Sequence, residues 1–226
     1  MVNFSILGKE YECPNQPSEI TLHEFTNLVQ CEKSAPAKLK FIWDAQSAEE
    51  RDALLKTVTD VDYQKDFIPF FVNWLVVLTK IEKEIWYLCP AHVLENLYAH
   101  LHGSFEMPKS QTQVEQIEHD GRTWYLPESL MKNSSVGEYV AAANFQDMSQ
   151  RNDGNSVFFL SKICAILLRE TKDAPFVDAN LNNDQLFKSM TMDKVWAVCF
   201  FLTKRVQHLD AIIQIYTAMG AEVEAI

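Results

Sequence analysis

Cys89, His92, His100 and His102 are the residues of this chain best suited by type to hold a metal ion. Zinc asks for four such ligands converging tetrahedrally. Cys89 and His92 flank the start of a helical pattern running Ala91 to Leu101, and His100 and His102 lie near its end. About eight residues at 1.5 Å rise place the two ends roughly 12 Å apart, too far for one ion without a sharp reversal. Histidines at a helix end are the simpler reading, and His100 near the C-terminus suits the helix dipole. An enzyme or metal-binding protein with its site near Cys89, His92, Glu95 and His102 remains an alternative.

Other chemistry finds less support. Cys13, Cys31, Cys89, Cys164 and Cys199 are scattered, and no Cys-x-x-Cys occurs, so a redox pair and a zinc ribbon both lack their spacing. Cys164 and Cys199 sit in apolar runs, where a thiol acts as a small hydrophobe. A Cys–His nucleophile pair could draw on His23, His119 or His208, but no local spacing favours any combination. Glu24 and Glu138 each fall three residues after a capping Thr21 or Ser135, a position explained by helix initiation. The glycine patterns that cradle phosphates or dinucleotides are absent from the sequence, as are the serine-hydrolase elbow and the His-Glu-x-x-His zinc helix. Neither a cofactor nor a catalytic residue is expected.

Aromatic residues are the remaining candidates. Phe67, Phe70, Phe71 and Trp74, and Phe158, Phe159, Trp196, Phe200 and Phe201, fall at the spacing of buried helix faces. Trp124 and Tyr125 are adjacent on a strand pattern, so one ring points away from the core. Tyr11 occupies the matching place in an earlier hairpin. Trp86 opens a short strand-like run, Trp86-Tyr87-Leu88, before Pro90. Tyr11, Trp86, Trp124 and Tyr125 are therefore the candidate partner contacts.

The elements that position these residues follow from patterning. Val2, Phe4 and Ile6 alternate with polar residues, Leu7-Gly8-Lys9 turns, and Tyr11 and Cys13 resume the alternation before Pro14. Thr21 and Glu24 open a helix with Leu22, Phe25, Leu28 and Val29 on its apolar side. The same order returns later: Ile117, the Asp120-Gly121 turn, Trp124, Leu126 and Pro127, then Ser135 and Glu138 with Val136, Tyr139 and Val140. This echo divides the chain into a hairpin-plus-helices lobe at 1–103 and another at 112–226, related by duplication or joined in one compact domain.

Between the echoes the chain reads as helix. Ser47 and Glu50 open a segment through Val58, and Pro69 sits in the first turn of a helix with Phe70, Phe71, Trp74, Leu75 and Leu78. Gly103 ends the helix that begins at Ala91. Ser156 to Arg169 and Thr191 to Met219 form two more, the latter stopped by Gly220. Residues 104–113 and 146–156 read as surface loops. The fold class is mainly α, a helical body with two small β-hairpins.

Composition narrows the function classes. The chain has 226 residues, 47% hydrophobic, with 20 Lys and Arg against 31 Asp and Glu and a formal charge of −11. That balance opposes a broad basic footprint on nucleic acid or anionic lipid, so neither nucleic acid nor membrane is an expected partner. Imitation of nucleic acid by an acidic face ranks lowest, because the basic residues are interleaved with the acids. The longest apolar stretch, Phe67 to Leu78, is interrupted by Pro69 and Asn73 and falls short of the ~20 residues of a membrane span. The N-terminal residues lack a basic region and long apolar core, so a cytoplasmic protein is expected.

The hairpin–helix units carry a resemblance. Phe4-Ser-Ile-Leu-Gly-Lys-Glu-Tyr11 leading to Ile20-Thr-Leu-His-Glu-Phe25, and Ile117-Glu-His-Asp-Gly-Arg-Thr-Trp124 leading to Val136-Gly-Glu-Tyr139, resemble the opening of bacteriophage tail assembly chaperones, a short hairpin and capped helix before a helical body. This chain departs from the family in carrying the unit twice and in its larger helical body. The resemblance implies a non-enzymatic protein that binds other phage or virion proteins, a tape-measure-like client or tail components, in the host cytoplasm or in the virion. A structural tail, connector or baseplate component, and a homo-oligomer, belong to the same expectation.

Overall fold

The alternation at the N-terminus folds into strand β1 (Val2–Ile6), paired antiparallel with β2 (Lys9–Cys13) so that Val2 faces Cys13 and Phe4 faces Tyr11. The two-residue turn between them places Leu7 at φ +53° and Gly8 at φ +78°. Two left-handed residues in succession match the right-handed twist of the strands they join. The computed structural model describes residues 1–105, 108, 114–127, 156–172, 174 and 178–204, and the chain divides into two compact units, Met1–Glu106 and Met107–Ile226. It is mainly helical with two small antiparallel hairpins.

In the first unit, α1 (Leu22–Lys33) begins at the expected capping box: Glu24 N–H donates to Thr21 Oγ1, and Thr21 N–H donates to the Glu24 carboxylate (3.2 and 2.9 Å). Two short helices follow, α2 (Ala37–Asp44) and α3 (Ala48–Leu55). Ser47 caps α3 through Glu50 N–H, but the Glu50 carboxylate turns to Gln46 N–H, and α3 ends at Leu55 rather than continuing through Val58. No residue of α3 is buried.

The longest helical run of the first unit starts nine residues before Pro69. Thr59 and Asp62 form a second capping box on α4 (Asp60–Asp62), a π-helical turn covers Tyr63–Phe67, and α5 (Ile68–Thr79) continues without a break. Ile68 N–H bonds to the Tyr63 carbonyl, five residues back. The wider turn relieves the clash a proline ring makes with the carbonyl four residues earlier, so Pro69 is tolerated inside the run. Six residues of α5 are buried (Phe70, Phe71, Val72, Trp74, Leu75 and Leu78), and the helix packs against α1 and α7 (Ala91–Ser104). Each such side chain contributes about 1.5–3 kcal/mol on leaving water.

Two local expectations are corrected here. Trp86 closes a single helical turn, α6 (Lys83–Trp86), instead of opening a strand, because Tyr87 N–H bonds back to the Lys83 carbonyl (3.2 Å). Gly103 lies inside α7, which runs on to Ser104.

In the second unit, β3 (Gln116–His119) pairs with β4 (Arg122–Tyr125), and Asp120 and Gly121 turn at φ +52° and +68°. Ile117 and Trp124 face each other across this hairpin, and both are buried. A 3₁₀ turn (Ser156–Phe159) leads into α8 (Leu160–Leu167), whose last residues are followed by an extended Leu168. The helix stops before Arg169 because that residue leaves it to exchange backbone hydrogen bonds with Tyr125 (2.8 and 2.9 Å), while its guanidinium donates to the carbonyls of Ile166 and Leu168. A 3₁₀ segment (Asp178–Asn183), α9 (Asp184–Phe187) and a helical stretch over 192–204 complete the described part. Their shared core holds Ile163, Ile166, Phe187, Met192, Val195 and Val198. The helix expected at Ser135, with Val136, Tyr139 and Val140 on its apolar side, and the continuation of 192–204 to Met219 lie outside the described residues. Among the described residues, no helix is long and apolar enough to cross a membrane.

Candidate functional site

The first unit carries a groove of about 600 Å³. Its floor is aromatic: Phe67 and Phe71 from the π turn and α5, and Tyr98 from α7, all buried. Tyr98 lies at the centre, 4.8 Å from Phe71 and 5.0 Å from Trp74, ring centre to ring centre. Trp43 of α2 forms one wall, half-buried, stacked on Tyr98 (6.2 Å) and on His102 (5.8 Å). Tyr63 lines the groove as well, tilted on Phe67 at 6.1 Å. Offset and edge-on packing of this kind adds about 0.5–1.5 kcal/mol per pair beyond burial.

Helical spacing explains why three polar or small residues of α7 share the groove. Glu95, Ala99 and His102 follow one another at four and three residues, and so form one stripe along that helix. Two side-chain bonds tie the walls together. Tyr63 Oη donates to Glu95 Oε2 (2.8 Å), linking the π turn to α7. Lys38 Nζ donates to Asp62 Oδ2 (2.6 Å), linking α2 to the start of the long helical run. Behind the wall, Glu32 Oε1 accepts from Trp74 Nε1 (3.0 Å) and faces His102 Nε2 at 3.3 Å.

Electrostatics follow from that arrangement. Burial, reinforced by the Glu95 carboxylate, pushes the Tyr63 phenol up to about 12. Burial, with Glu32 and Cys31 nearby, pushes Tyr98 well above the ordinary phenol value, and its hydroxyl has no hydrogen-bond partner among the described residues. The Lys38 ammonium and Thr59 hold Asp62 down to about 2. Across the groove, α3 contributes exposed Arg51 and exposed Leu55, with Val58 just beyond it. Leu55 leaves apolar carbons open to solvent there.

The candidate residues read from sequence fall in several places. Trp86 is 0% exposed, its ring 5.4 Å from Phe4 and its indole N–H without a partner among the described residues. Trp124 is 1% exposed, edge-on to Phe187 at 4.9 Å, with Nε1 donating to the His119 carbonyl. Neither is a surface contact: each fills the core of its own unit. Tyr125 is the outward ring of its pair and is half-buried. Tyr11 is half-buried as well, stacked on Phe4 at 5.7 Å with the Lys9 ammonium 5.1 Å from its ring centre.

Of the four residues grouped for chemistry, Glu95 and His102 line the groove, whereas Cys89 and His92 do not. Cys89 is half-buried, its thiol pushed up by burial, and His92 is exposed. Among the described residues, no three His, Cys, Asp or Glu side chains cluster closely enough to hold a metal ion. The groove residues Trp43, Tyr63 and Glu95 meet from sequence positions 20 to 52 residues apart, so no local spacing announced them. The Thr59–Asp62 box was the one usable signal, since it marks the helix start that carries Tyr63.

The chain matches no protein-family model, no curated protein and no solved structure.

Proposed function

We propose that this chain is a non-enzymatic interaction protein of virion assembly, a tail-assembly chaperone that holds a segment of another phage protein in the host cytoplasm. The observation that carries this reading is the groove of the first unit. Half-buried Trp43 and Tyr63 stand over a floor of Phe67, Phe71 and Tyr98, beside a helix that buries nothing. Large aromatic surface that is pre-formed and open is the usual make-up of a protein-binding hot spot. The hairpin–helix opening, with its Thr21 capping box, supports the same class through its resemblance to tail assembly chaperones.

Co-expression with a bacteriophage tape-measure protein tests the proposal. The expected result is a stable complex by size-exclusion chromatography, with the client kept in solution by this chain. A chain that elutes alone beside an aggregated client, and beside each tail component tried in its place, contradicts it.

A further inference from the structure

We propose that the groove of the first unit is selective for a basic partner segment, one that seats an apolar side chain on the aromatic floor and a lysine or arginine between Glu95 and the faces of Trp43 and Tyr63. This deepens the assembly reading and rests on it. The argument is one of charge and shape. Glu95 and Asp60 both line the groove, and among the described residues lining it Arg51 is the one guanidinium and there is no lysine. Arg51 forms no ion pair among the described residues and is exposed on α3.

The surroundings share that sign. Residues 1–106 hold nine Lys and Arg against 16 Asp and Glu, a net of −7. Glu49, Glu50 and Asp52 lie on α3 itself, all exposed. A cation beside an aromatic face and a carboxylate gains from both the ring quadrupole and the charge, and most when water is excluded. The apolar floor alone would accept any hydrophobic segment, so the carboxylates supply the discrimination.

The test uses the full chain and two labelled, Ala-rich helical peptides that carry Leu on one face, flanked by Lys in one peptide and by Glu in the other. Fluorescence anisotropy gives the affinities. The Lys peptide should bind, and the Glu peptide should bind at least about tenfold more weakly, with the difference shrinking as salt is raised. Glu95→Gln keeps an oxygen to accept from Tyr63, so the fold is retained, and it should weaken the Lys peptide about tenfold. Arg51→Glu should strengthen it. Ala99→Trp, on an exposed position of α7, should block both peptides.

Equal affinity for the two peptides, or no response to Glu95→Gln and Arg51→Glu, overturns the charge selectivity. Binding that survives Ala99→Trp overturns the location. Arginine ethyl ester competing as well as the Lys peptide overturns the peptide assignment in favour of a small-molecule site. If the co-expressed client still elutes with the Ala99→Trp chain, the assembly reading stands and the groove assignment alone fails.

Discussion

Tyr63 joins the π turn to α7 and stands beside the groove's carboxylate, so its titration reports on that local field. Its phenol is held at about 12, first by burial and then by Glu95. A phenol whose folded value lies above the unfolded value of roughly 10 contributes stability that is complete below pH 10 and is lost as pH rises through 12. Glu95→Gln should therefore lower the Tyr63 midpoint toward 10, read by alkaline titration of tyrosine carbon resonances; an unmoved midpoint would show that the carboxylate does not act on it. Leu7 offers a second residue-scale test. It is 77% exposed at φ +53°, where a branched side chain is strained. Leu7→Asn makes the favoured Asn-Gly turn and should raise stability by about 1 kcal/mol in thermal unfolding. Sequence could say that either Trp124 or Tyr125 turns inward, since strand alternation is local. Which one does depends on Phe187, more than sixty residues away, and the burial of Trp86 depends in the same manner on Phe4.

Among the elements, the features written in short-range chemistry were legible and those set by packing were not. The Thr21–Glu24 box, the two hairpin turns and the apolar face of α5 all follow from residues within a few positions of one another. Pro69 stands in the first turn of α5, where its type places it, while the π turn over Tyr63–Phe67 that runs directly into α5 has no local signal. Local pattern carries the helix through Arg169, because the break depends on a bond to Tyr125 from another element. Gly103 has the type of a helix terminator but has helix on both sides, and a methyl group added there would meet nothing within 4 Å. Gly103→Ala should accordingly stabilise the first unit by about 0.5–1 kcal/mol in denaturant unfolding. A loss of stability would mean that the glycine is needed for a conformation other than helix.

For the molecule as a whole, few glycines, capped helices and the absence of a strand–helix–strand rhythm were enough to give a mainly helical chain with two hairpins. The groove was not legible, because its walls come from α2, the π turn and α7, and its charge from side chains that meet only after folding. The decisive measurement is a two-dimensional amide and indole NMR spectrum of the full chain, recorded with and without the Lys peptide. Shifts should gather at Trp43, Tyr63, Ala99 and His102 while resonances of 114–127 and 156–172 stay in place. Shifts confined to those second-unit residues, or a spectrum that the peptide leaves unchanged, would contradict a partner-binding groove in the first unit.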